Sequence, residues 1–253
     1  MGRWGFGIKS VANIIEEIMK KLFLFSLFLN ILFHTGEGEY SMWLHADQKS
    51  KSDTKIIILP EPKYTGETSI EEVLFKRRSI RDFKDEPLTL KQISQLLWAA
   101  QGITDKREGF RTAPSAGALY PLEVYLVSGN ITDLPIGIYK YNPDKHELTI
   151  VTEQDVRLEL GEAALGQSCV KEGAAVIVLA AVYERTTRKY GKRGIRYAHI
   201  EVGNVSQNIY LQAVSLNLGT VVVGAFDDEQ VKKVMQMETD EEPLCVMPVG
   251  IEK

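Results

Sequence analysis

Between Phe75 and Phe83 the chain reads FKRRSIRDF, with four cationic side chains in the six positions from Lys76 to Arg81 and one hydroxyl, Ser79, among them. If the backbone is extended after Arg78, Arg77, Ser79 and Arg81 alternate at period two and project to one face. Two guanidinium forks and a hydroxyl donor then converge, a grouping that matches phosphate oxygens through charge-assisted hydrogen bonds. The same cations also complement the dipole at a helix C-terminus, by roughly 0.3 kcal/mol or more each. For Lys76 and Arg78 that alternative has equal weight. No GxGxxG follows a strand and no GxxxxGK[ST] is present, so the usual nucleotide cradles are missing. The expected phosphate therefore belongs to a ligand held in another way.

Composition limits what that ligand is. The chain has 253 residues, 44% of them hydrophobic, and a formal net charge of -4. It can bury one core of roughly 180 to 200 residues with an extension beside it. A mildly acidic chain is no general nucleic-acid binder, so the anion site should be local. Cys169 and Cys245 lack CxxC spacing, and His34, His45, His146 and His199 form no HExxH or comparable pattern. No metal and no disulfide framework are expected.

The elements that position these residues are read from periodicity and punctuation. Met19 to Phe33, MKKLFLFSLFLNILF, places two lysines before an apolar run. Residues 1–38 thus read as a hydrophobic extension, an export signal or membrane anchor, with Met19 as an alternative start. The competing reading is a helix packed on a partner subunit, since Leu22, Phe25, Leu29 and Leu32 fit helical spacing. Residues 39–62 read as a linker and 63–253 as the folded domain, whose core begins near Ile56. Ser69-Ile70-Glu71-Glu72 is a capping box opening a helix to about Arg78. Thr89 opens another, closed by Gly102. GFRTAPSAGALYP from Gly109 to Pro121 is a loop. Strands are expected at 123–128, 137–141, 147–151, 175–182, 220–223 and 244–249, with helices at 155–165 and after Asp227. A helix from Ile195 to Leu218 carries an apolar stripe through Ala198, Val202, Val205, Ile209, Ala213 and Leu216. A second, polar line runs through Glu201, Asn204, Asn208 and Gln212. Its length suggests a dimer interface, and Glu201, Asn204, Asn208 and His199 are read as interface groups. Strands and helices without a βαβ repeat point to an α+β architecture.

RRSIRDF, PLTLKQISQLLWAAQGIT, RTAPSAGALYPLEVYLV, ERTTRKYGKRGIRYAHIEVGNVSQN, VGAFDD and PVG together resemble the SagB-type dehydrogenase branch of the flavin-dependent nitroreductase-like family. The likeness runs from about Ile58 to Gly250. It implies a nitroreductase-like α+β fold with a mixed central sheet, flanking helices and a long interface helix. It also implies FMN bound non-covalently in a homodimer. By the same resemblance, Arg77, Arg78, Ser79 and Arg81 hold the FMN phosphate, ribityl chain and pyrimidine edge. Pro114, Ser115 and Ala116 reach the flavin of the other subunit, and Gly224 and Ala225 lie against its N5 side. Residues of little bulk at 115–118 suit close approach to a flat ring, although a small-residue helix cap would look the same. The basic C-terminal clamp of many relatives has no counterpart before Lys253.

In azoline-oxidising members a Lys-Tyr pair matches Lys189 and Tyr190, and is implicated there in taking a ring proton. A solvated charged loop is the plainer reading of RKYGKRG. Three functions follow: a SagB-type dehydrogenase acting on an azoline-like or other small substrate, including one carried on a modified peptide; a stand-alone reductase of nitro compounds, quinones or flavins using NAD(P)H; and a flavin-binding dimer without catalysis. Tyr120, beside the loop, and Trp98 are the aromatic candidates for the substrate side.

Overall fold

The computed structural model describes residues 55–253. The expectations for an export or membrane segment, for the alternative start and for most of the linker lie outside these residues. None of the described helices is long and apolar enough to cross a membrane.

The first described element is β1 (Ile56–Ile58), inside the stretch read as linker, and it joins the central sheet. Helix α1 (Ile70–Lys76) opens at Ser69, whose Oγ accepts from the Glu72 amide at 3.2 Å. The expected capping box is half made, because the Glu72 carboxylate reaches forward to Lys76 Nζ at 2.6 Å. The helix stops at Lys76, short of Arg78, since Arg77 turns extended at ψ 123. A complete capping box stands instead between Thr89 and Gln92, where β2 (Leu88–Thr89) meets α2 (Leu90–Gln101). There both partners are oriented to satisfy free backbone donors.

The loop after α2 forms a small ladder, β3 (Ile103–Asp105) with β4 (Phe110–Arg111), and then a single 3-10 turn at Ala116–Ala118. Next come β5 (Leu122–Ser128), β6 (Ile131–Thr132), β7 (Gly137–Asn142) and β8 (Glu147–Thr152). Two short helices, α3 (Arg157–Ala163) and α4 (Ser168–Glu172), precede β9 (Ala175–Ala181). The chain ends through α5 (Glu184–Tyr190), α6 (Arg193–Ser215), β10 (Gly219–Thr220), α7 (Asp228–Val234) and β11 (Glu242–Gly250).

The seven-stranded sheet has the order β1-β8-β7-β5-β9-β11-β10, with antiparallel neighbours throughout, and the small β2/β6 pair is parallel. Every residue of β9 is buried, as an unbroken AVIVLAA run demands of a strand covered on both faces. One face packs on α2 and α6, the other on α3, α4 and α7. Leu244 to Val249, expected as a strand, lies in β11 inside the sheet, with β10 at the edge.

Two differences from the sequence reading bear on function. RKYGKRG is helical up to Tyr190 and turns at Gly191, φ 57, before α6 begins. Gly194 lets α5 fold back on α6, since a Cβ there would stand 2.7 Å from the Thr186 and Thr187 backbone. The polar line of α6 faces its own chain: Glu201 binds Gln101, Asn208 binds the Thr112 carbonyl, and Gln212 accepts from Gln95. Interface duty is not needed to explain these three. The apolar stripe is buried at Ala198, Val205, Ile209 and Ala213, as its spacing requires.

Candidate functional site

Tyr210, which the sequence reading passed over, joins two of the expected site segments. Its hydroxyl lies 3.0 Å from Ser79 Oγ and accepts from the Val222 amide at 2.8 Å. The Arg77 guanidinium stands 5.1 Å over its ring. Ile80 fixes the crossing from the other side: its amide donates to the Thr220 carbonyl, and its side chain fills the space at Gly219. Arg77 and Ser79 are thereby held beside the chain that leads from Val222 to Gly224 and Ala225.

The other members of the basic run behave differently. Arg78 Nη1 donates to the carbonyls of Arg77, at 2.7 Å, and Phe75, at 3.3 Å, so it caps the end of α1. Lys76 is committed to Glu72. Arg81 is exposed and makes no ion pair among the described residues; its charge is felt at the Cys169 thiol, whose pKa burial nonetheless pushes up. Cys245 is pushed up to about 12 by burial alone, as a core thiol rather than a nucleophile. Gly224 and Ala225 are exposed, and a Cβ on Gly224 would meet nothing within 4 Å. Open backbone beside cations with no carboxylate partner among the described residues suits an anionic cofactor with a flat ring. These residues fit FMN.

A second group forms around the small-residue loop. Gly117 has φ 64, and a Cβ there would stand 2.6 Å from the Tyr190 hydroxyl and 2.9 Å from Lys189 Nζ. The expected Lys-Tyr pair thus lies directly on the loop that carries Pro114, Ser115 and Ala116. Lys189 is exposed, with Nζ 5.4 Å from the Tyr190 ring centroid, and Tyr190 packs edge-on against Tyr197 at 5.1 Å. Pro114 is exposed and Ala116 half-buried; Ser115 Oγ accepts from the Tyr120 amide at 2.9 Å. His199 is exposed and meets the Tyr183 hydroxyl at 2.6 Å. Trp98 is half-buried against Tyr64, with ring centroids 5.5 Å apart.

The two groups are separated within one chain. From Glu201, beneath the loop, to Tyr210 is nine residues of α6, or about 14 Å of helix. The described protomer also has a cavity of about 630 Å³, lined on both sheet faces by Leu122, Glu123, Val124 and Tyr125. It opens where β5 and β7 diverge beyond the Tyr125 and Lys140 pairing. None of the expected site residues lines it.

The nitroreductase family profile matches residues 74–251. A nitroreductase-family protein of Methanocaldococcus jannaschii is 48% identical over 198 residues, 78% of this chain and 97% of that protein. The microcin B17-processing protein McbC of Escherichia coli is 31% identical over 60% of this chain and 57% of its own length. The trifolitoxin operon protein TfxC of Rhizobium leguminosarum is 26% identical over 70% of this chain and 54% of its own. Among solved structures, a nitroreductase-type protein from Ralstonia eutropha superposes with TM-score 0.69 at 33% identity, covering 78% of this chain and 90% of that one. The E. coli microcin synthetase McbBCD complex gives 0.61 at 25%, covering 83% and 82%. The chain belongs to the nitroreductase family and is a flavin-dependent oxidoreductase.

Proposed function

We propose that the protein is an FMN enzyme of the SagB type, working as a homodimer and oxidising an azoline-like ring or a related small substrate. The observation that carries this reading is the contact of the Gly117 loop with both Lys189 Nζ and the Tyr190 hydroxyl. It puts a base candidate and a phenol at the edge of the loop expected to face the cofactor. The likeness to McbC and TfxC supports the branch.

In this reading Arg77, Ser79 and Arg81 grip the phosphate, Tyr210 holds the first two in place, and the backbone at Gly224 and Ala225 leaves room for the ring. Arg78 serves the helix end. FMN, when bound, supplies a two-electron acceptor. Lys189 is the base that takes the substrate proton at Nζ, and Tyr190 orients the ring by its hydroxyl. Exposed Ile70, Leu74 and Phe75 on α1 and Ile200 on α6 offer an apolar surface for the second copy.

A second reading, a stand-alone NAD(P)H-dependent reductase, is supported by the 48% identity to the M. jannaschii nitroreductase-family protein. The purified protein, loaded with FMN, is mixed anaerobically with NADH, NADPH or an azoline-bearing peptide. Flavin bleaching by the azoline, lost in Lys189→Ala, supports the first reading. Bleaching by NADH or NADPH alone, unchanged in Lys189→Ala, selects the second. A yellow dimer bleached by none is the non-catalytic binder. Failure to take up FMN sinks all three.

A further inference from the structure

Among the described residues three side-chain polar atoms are buried without a partner: Trp98 Nε1, Arg111 Nε and Glu201 Oε2. Two of them belong to one run of contacts. Glu201 on α6, 2% exposed, accepts at Oε1 from Gln101 Nε2 at 3.3 Å. Gln101, 1% exposed, accepts at Oε1 from Arg111 Nη1 at 3.1 Å. The Arg111 guanidinium covers the Tyr120 ring at 4.4 Å, while the Arg111 amide donates to the Tyr120 hydroxyl at 3.2 Å. Tyr120, at φ 45, donates its own amide to Ser115 Oγ, so a run of contacts leads from Glu201 through Gln101, Arg111 and Tyr120 to Ser115.

This run places a neutral amide between a carboxyl and a guanidinium. A buried carboxylate is costly unless it is paired and fully hydrogen-bonded. Among the described residues Glu201 has one acceptor contact and no direct cation. A carboxyl that keeps its proton instead avoids that cost.

We propose that Glu201 is a positioning residue: its protonated carboxyl holds the 113–120 loop through Gln101, Arg111 and Tyr120, and its ionisation frees that loop by drawing Arg111 from Gln101 and Tyr120. The balance is one proton, held on the carboxyl in the locked form and released to solvent in the other. Burial raises the Glu201 pKa, while Ser115, Gln101 and Arg111 pull it back. Arg111 in turn faces Asp144, Tyr120 and Glu123. A raised folded pKa means stability is fully present below the ordinary carboxylate range and is lost as pH rises through the folded value. The consequence for turnover rests on reading this loop as cofactor-facing; the lock itself does not.

The test uses the full chain, wild type and Glu201→Gln, from about pH 4 to about pH 8, which brackets the ordinary Glu value of roughly 4.3. Infrared difference spectra should show a protonated carboxyl band in the wild type that persists above that ordinary value and is missing in Glu201→Gln. Amide exchange at 113–120, corrected for intrinsic rates, should quicken about tenfold in the wild type as the band disappears, about 1.4 kcal/mol of local opening. In Glu201→Gln, a permanently neutral isostere, it should stay slow throughout. Glu201→Ala should be fast at every pH; if that variant does not fold, the Gln variant alone decides. Equal exchange profiles for wild type and Glu201→Gln, or no carboxyl band above the ordinary range, overturn the proposal. A correct lock in a protein that binds no FMN would overturn the cofactor reading and leave this one standing.

Discussion

Replacing Arg77 with alanine should separate cofactor binding from helix capping, because its neighbour Arg78 provides an internal control. Arg77 is half-buried over Tyr210 and has no carboxylate partner among the described residues, whereas Arg78 is spent on two carbonyls at the end of α1. A hydrogen bond to a charged group contributes about 1.5 to 3 kcal/mol. Partial exposure argues for the lower bound, so FMN affinity should fall about tenfold in Arg77→Ala. Arg78→Ala removes a helix-end interaction of about 0.3 to 1 kcal/mol, which should lower the urea midpoint slightly and change FMN affinity less than about threefold. Quenching of FMN fluorescence, titrated at two salt concentrations, measures both; the salt slope should shrink in Arg77→Ala and persist in Arg78→Ala. If Arg78→Ala weakens FMN as much as Arg77→Ala, or Arg77→Ala binds FMN normally, the division of labour drawn from the helix terminus is wrong.

Tyr210→Phe deletes the hydroxyl shared by Ser79 and the Val222 amide; a loss of about 1 to 3 kcal/mol is expected, read as a lower urea midpoint, with weaker FMN binding beside it. Gly117→Ala combines a left-handed backbone with a Cβ that displaces Lys189 and Tyr190. It should cost about 1 to 2 kcal/mol of stability and reduce azoline oxidation more than NAD(P)H-driven reduction; equal losses would count against the contact. Burial lowers the pKa of His146, which sits between Tyr141, Ser94 and the Pro60 carbonyl. Its contribution to stability is present above the ordinary His value of about 6.5 and lost as pH falls through the depressed one. The acid-side decline in Tm should therefore be shallower in His146→Asn, which also tolerates the left-handed φ of 51 at this position.

Much of this molecule was legible before any coordinates. The AVIVLAA run announced a strand covered on both faces, the stripe from Ala198 to Leu216 announced a packed helix, and Thr89 and Gly102 bracketed α2. Such features are set by nearest neighbours and by the periods of helix and strand, which a one-dimensional string records. What a side chain meets across the fold is not so recorded. Periodicity put Glu201, Asn208 and Gln212 on one line but could not say that α2 and the 112–115 loop lie opposite, and it put Arg77 and Arg78 side by side without showing that one caps α1 while the other turns to Tyr210. Ser79 and Tyr210 are 131 residues apart, and Gly117 meets residues more than 70 positions away. Local sequence therefore determined the elements and the chemical types available to the site. Tertiary packing decided which of those groups meet, because contacts between distant segments depend on how whole helices and strands dock, and no local pattern encodes that docking.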